Sequence, residues 1–78
     1  MNRISEKEKI WRKKFGDKLK RLIHLKGMTQ KEFAEELGII DTTVSKYIRG
    51  DRCPDIYRIL KIANILDCDP NCLFDVDD

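Results

Sequence analysis

The stretch TQKEFAEELGIIDTTVSKYIRG, Thr29 to Gly50, constrains this chain more than any other. It holds two helical patterns with a glycine between them, each too short to persist alone in water. Thr29 is a good N-cap, and Glu32 three residues later completes a capping box. Phe33, Ala34 and Leu37 give the first of these helices a narrow apolar face, and Gly38 ends it. The second begins around Asp41 and ends at Gly50, with Val44, Tyr47 and Ile48 as its inner face. Thr42, Thr43, Ser45, Lys46 and Arg49 are left for solvent or a partner. Such a pair must be held by neighbours.

The residues inside the stretch solve a packing problem. Small Ala34 lets the following helix approach closely, and Gly38 permits a left-handed backbone at the turn. Ile39 fills the space between the two helices, and Val44 anchors the second one. The rest of the chain supplies the neighbours. Upstream, Trp11, Phe15, Leu19, Leu22 and Ile23 recur at helical spacing, and that helix runs to about Lys26 with Gly27 as its stop signal. Ser5-Glu6-Lys7-Glu8 has the form of a capping box, so the helix starts either near Ser5 or nearer Trp11. Gly16 within it costs about 1 kcal/mol relative to alanine and marks a bend or a close contact. Downstream, Asp55 caps a fourth helix just after Pro54. Ile56, Ile59, Leu60, Ala63 and Leu66 form its expected core stripe, Ile62 sits at the edge, and Ile65 lies well outside. Asp67 ends that helix. Asp69-Pro70 opens one last turn, Asn71 to Phe74, and Val76-Asp77-Asp78 is expected to fray. The predicted fold class is all-α.

Seventy-eight residues make one small domain, and 41% hydrophobic with 38% charged residues fits a globular chain rather than a disordered one. No run approaches the length of a membrane span, and MNRISEKEKI lacks the apolar stretch of a secretory signal, so the expected compartment is the cytoplasm. The three cysteines, Cys53, Cys68 and Cys72, argue by their odd number against a disulfide framework. Asp67 and Asp69-Pro70 break the helix between Cys68 and Cys72, and the single histidine, His24, is far away in sequence, so no metal or other cofactor is expected. No nucleophile–base pairing, glycine-rich phosphate loop or working carboxylate pair occurs, and the chain does not read as an enzyme. The formal net charge of +2 hides an asymmetry: residues 1–31 hold 11 Lys/Arg against 3 Asp/Glu, whereas residues 32–78 hold 5 against 11. The basic end can face a polyanion.

Two short helices joined by a brief glycine-containing turn are a helix-turn-helix. The ordered set Thr29-Gln30, Phe33-Ala34, Leu37-Gly38, Thr42-Thr43-Val44-Ser45 and Gly50 through Pro54 resembles the lambda-repressor-like, Cro-type (XRE-like) helix-turn-helix family. The likeness covers roughly Phe15 to Phe74. It implies five helices around one core and sequence-specific binding of double-stranded DNA, usually by a transcriptional regulator and most simply a repressor. It divides the chain into a basic N-terminal extension at 1–14 continuing into the first helix, a DNA-binding domain at 15–74, and an acidic tail at 75–78. It places Asp41, Thr42, Ser45 and Lys46 against base edges, with Lys46 suited to guanine. It puts Gln30 on a phosphate and behind the first base-reading side chain, and Thr43 on phosphate. Arg49, Lys13 and Lys14 are further phosphate candidates. The basic first helix is either a solvated face or an arm in which Arg3, Lys7, Lys9, Arg12, Lys13 and Lys14 reach phosphates. The outer positions Ile62 and Ile65 are expected to form a homodimer interface. The alternative is a protein-interaction module, such as the antitoxin of a toxin–antitoxin pair, with a protein partner.

Two positions depart from the family's pattern. Ile48 stands where Glu is common, and Ile40 where Ser is common as the N-cap of the second helix of the pair. Ile40 cannot cap through its side chain. Asp41 therefore has two readings: it caps that helix one residue late, or it accepts a hydrogen bond from a cytosine N4 amine.

Overall fold

The computed structural model describes residues 5–75, which form five α-helices: α1 (Glu6–Leu25), α2 (Gln30–Leu37), α3 (Asp41–Arg49), α4 (Ile56–Ile65) and α5 (Pro70–Phe74). Arg3, expected in an N-terminal arm, and the acidic end Val76 to Asp78 lie outside the described residues.

Ser5 settles the start of α1, since its hydroxyl accepts from the Glu8 N–H at 3.1 Å. The Glu8 carboxylate does not return to Ser5 but takes Arg12 at 2.9 Å. The helix crosses the expected boundary at residue 15 without interruption. Thr29 and Glu32 form the reciprocal capping box of α2. Asp55 and Asp69 cap α4 and α5 by accepting from Arg58 and Asn71 N–H groups. Asp67 adopts a left-handed conformation (φ 53°) at the end of α4, where a short polar side chain is tolerated, and forms an ion pair with Lys26 at the end of α1.

One core is shared by all five helices. Phe15, Leu19 and Ile23 come from α1, Phe33, Ala34 and Leu37 from α2, Val44 and Tyr47 from α3, Ile59, Ile62 and Ala63 from α4, and Leu73 from α5. Trp11 covers its edge, stacked on Phe15 with ring centroids 5.3 Å apart and tilted against Phe74 at 6.3 Å. Gly16 marks a close contact. A Cβ there would lie 2.1 Å from the Ile48 carbonyl oxygen, so α1 and α3 meet backbone to backbone.

Helix α4 is turned relative to the expected stripe. Ile56 and Leu60, assigned to the core, are exposed (77% and 54%). Ile62, assigned to a dimer interface, is fully buried, and Ile65 is half-buried against the core. The reason lies in the sequence IYRILKIANI, which is apolar on more than one face. Periodicity alone cannot choose between such faces; the contacts of α4 with α2 and α5 do.

Candidate functional site

Helices α2 and α3 set the site. Gly38 takes the left-handed conformation (φ 80°), and its N–H and that of Ile39 close the end of α2 on the Ala34 carbonyl at 2.9 and 3.0 Å. Ile39 is half-buried in the turn. Val44 and Tyr47 then fix α3 by one side. The opposite side presents Asp41, Thr42, Lys46 and Arg49 to solvent, with Ser45 and Thr43 half-buried at its edges.

A hydrogen-bonded cluster ties the starts of the two helices together. The Gln30 side-chain amide, on the first residue of α2, donates to Asp41 Oδ1 at 2.8 Å and to Ser45 Oγ at 2.6 Å. Its two hydrogens are thus committed within the protein. The Glu32 N–H is taken by Thr29 Oγ1 at 3.0 Å, so the backbone N–H groups that a phosphate at this end could meet are those of Gln30 and Lys31. The expectation that Asp41 replaces the missing cap is corrected by the same geometry. Ile40 holds the N-cap position with extended dihedrals and no side-chain cap bond, and Asp41 is already the first helical residue. Its carboxylate is held by Gln30 because that amide lies across the cleft between the helix starts. A negative group there also suits the positive end of α3.

Cations surround this face unevenly. Thr43 lines a crevice with Arg52 of the α3–α4 loop and Arg58 of α4, together with Tyr47, Cys53 and Asp55. Arg58 is paired with Asp55 at 3.1 Å, while Arg52 is exposed. Arg52 was not singled out from the sequence, because its position beside Thr43 depends on how the loop after Gly50 folds back. On the other flank, Lys20 and His24 of α1 border a crevice with Gln30 and Ile48. Lys13 and Lys14 are both exposed, next to the far end of α3, where the backbone of Arg12 and Lys13 comes within 3.2 Å of a Cβ built on Gly50. Lys13 pairs with Asp17 at 3.0 Å and Arg49 with Asp51 at 3.0 Å, so both are partly neutralised. Arg12 is folded inward, its Nε buried without a hydrogen-bond partner and its guanidinium on Glu8, which removes it from an outward-reaching arm. Lys46 carries no ion pair among the described residues.

Three further features complete the surface. Ile56, Tyr57 and Leu60 form an exposed apolar face on α4, with the Lys61 ammonium 5.6 Å from the Tyr57 ring centroid. The thiols of Cys53 and Cys68 are pushed above their ordinary range by desolvation, which disfavours the reactive thiolate. Among the described residues no group of three metal-ligating side chains converges, and no helix is long and apolar enough to cross a membrane.

The family model described as helix-turn-helix matches residues 18–71. The uncharacterized HTH-type transcriptional regulator YqaE of Bacillus subtilis (strain 168) is 38% identical over 53 residues, covering 68% of this chain and 46% of the relative. The HTH-type transcriptional regulator ImmR of the same organism is 36% identical over 63 residues, covering 81% of this chain and 50% of the relative. The chain therefore spans about half the length of the curated relatives it matches. Among solved structures, the restriction-modification controller protein C.AhdI from Aeromonas hydrophila superposes with a TM-score of 0.78 at 34% identity, over 83% of this chain and 94% of that one.

Proposed function

The chain belongs to the helix-turn-helix family, and from that premise we propose that it binds double-stranded DNA sequence-specifically as a transcriptional regulator, most simply a repressor that occupies its operator. The observation that carries this reading is α3 itself. Its inner side is locked by Val44 and Tyr47, and its outer side is a continuous polar surface of hydrogen-bonding side chains. In this role α3 enters the major groove, Asp41, Thr42, Ser45 and Lys46 face base edges, and phosphates are held on both flanks. One flank is the start of α2 with Lys20. The other is Thr43 with Arg52, while Arg49, Lys13 and Lys14 serve the far end of α3. The likeness to two HTH-type transcriptional regulators, one of them uncharacterized, and to a restriction-modification controller protein supports the reading. The work is binding without catalysis, and its setting is the cytoplasm.

A homodimer is part of the proposal. The exposed Ile56, Tyr57 and Leu60 face of α4 supports it, since large apolar groups at 54–77% exposure on one helix gain by mutual burial. A dimer of such a protein would place two α3 helices about one DNA turn apart. The same face favours the second reading, a module that binds a different protein, and the mass of the isolated protein in solution separates the two.

The test is a duplex titration at several salt concentrations. If about six phosphates are neutralised, log K falls against log salt with a slope near −5. Lys46→Ala is expected to weaken selected sequences more than random ones, whereas Arg52→Ala is expected to weaken both alike and flatten the slope by about one. A duplex affinity that Lys46→Ala and Arg52→Ala both leave unchanged, with no salt dependence, sinks the proposal.

A further inference from the structure

Asp41 is an acid on the face turned to a polyanion, and it is not the N-cap of α3, a position held by Ile40 with no side-chain cap bond. The Gln30 amide holds one carboxylate oxygen, Oδ1, at 2.8 Å. Asp41 is exposed, and its second carboxylate oxygen, for which no partner is seen among the described residues, can only accept. Ser45 is the mirror case. Its Oγ accepts from Gln30 at 2.6 Å, so its own hydrogen is not spent on that amide and is left for another acceptor. One turn of α3 thus presents an acceptor at Asp41 and donors at Ser45 and Lys46, with the first two oriented by one amide.

The major groove rewards that pattern at few places. A carboxylate near DNA is repelled by phosphates and by every base acceptor. Only the exocyclic amines of cytosine and adenine offset this. The adenine amine lies between two acceptors, its own N7 and the O4 of the paired thymine. The cytosine amine has an acceptor on one side only, the paired guanine O6, with a C–H on the other. From this we infer that Asp41 specifies a cytosine in the half-site, that Ser45 and Lys46 donate to acceptor edges of neighbouring pairs, and that Gln30 is the positioning residue for both contacts.

This inference rests on the proposed DNA reading, and its test separates the two. The full chain and its Asp41→Asn, Asp41→Ala and Gln30→Leu variants are put through binding-site selection from one randomised duplex library at fixed salt. The wild type is expected to return a consensus with cytosine favoured by about fivefold or more at one position. Asp41→Asn is expected to turn that position to adenine, since an amide both donates to N7 and accepts from N6. Asp41→Ala is expected to blur that position alone. Gln30→Leu is expected to blur it together with the position faced by Ser45, at unchanged helix content by circular dichroism. An unchanged consensus for Asp41→Asn, or a loss at every position at once for Asp41→Ala, overturns the inference while leaving DNA binding standing. A wild type that returns no consensus overturns both.

Discussion

Gly16 is where two helix backbones touch, and a single added methyl decides the matter. Alanine is the better helix former by about 1 kcal/mol, so on propensity Gly16→Ala stabilises. The Ile48 carbonyl lies 2.1 Å from the new Cβ, and backbone cannot rotate out of the way as a side chain can. The variant is therefore expected to lose about 2–3 kcal/mol or more in urea unfolding, the overpacking cost outweighing propensity. Ile40 gives the opposite prediction. It sits at 69% exposure with N-cap dihedrals and no cap bond, so Ile40→Ser is expected to gain about 0.5–1 kcal/mol. An unchanged or lower midpoint contradicts the assignment of Ile40 as the cap position. Cys68 sets a pH limit. Its ordinary value is 9.0, and desolvation, followed by the neighbouring Cys72, raises it in the folded protein. Above the unfolded value the unfolded chain releases its proton first, so stability falls as pH rises from about 9 toward the folded value. Cys68→Ala is expected to flatten that part of the unfolding-versus-pH curve; Tyr47, also raised by burial, acts in the same direction at higher pH.

At the scale of elements, the two shortest helices depend on partners. Helix α5 has only five residues, below the length at which a helix persists alone. Leu73, fully buried, fastens it to the core, and the Lys18 ammonium accepts no bond but donates to the carbonyls of Cys72 and Asp75, the latter at 2.7 Å. Leu73→Ala is expected to cost about 2–5 kcal/mol in chemical unfolding, a large share of the stability of a chain this small. The caps of α2, α4 and α5 were legible as Thr29, Asp55 and Asp69, since an N-cap needs one short acceptor and a local turn. The orientation of α4 was not, since Ile56, Ile59, Leu60, Ile62 and Ile65 leave no polar face wide enough to mark solvent. Packing against α2 and α5 chose Ile59 and Ile62 and left Ile56 and Leu60 outside.

For the whole molecule, that choice moves the proposed dimer from Ile62 and Ile65 to Ile56, Tyr57 and Leu60. Leu60 is half exposed, so Leu60→Glu is expected to keep the fold and shift sedimentation equilibrium at tens of micromolar toward the monomer mass. A wild type that is already monomeric there counts against pairing in solution. Charge also acts at this scale. Eight of the eleven Lys/Arg of residues 1–31 lie on α1, and Arg12, Lys13 and Lys26 are engaged by Glu8, Asp17 and Asp67. Salt dependence therefore reports fewer phosphates than the raw count of cations implies.

The sequence by itself determined the all-α class, the helix pair with its glycine turn, most of the core and the outer polar row of α3. Each of these depends on residues within a turn or two of one another, and local sterics and hydrogen bonding act at that range. The tertiary structure alone decided which side of α4 is buried, that Gly16 admits α3, that Arg52 joins Thr43, and that Gln30 reaches Asp41 and Ser45. Those contacts join residues far apart along the chain. Their geometry follows from how five short helices share one core, which no local pattern contains.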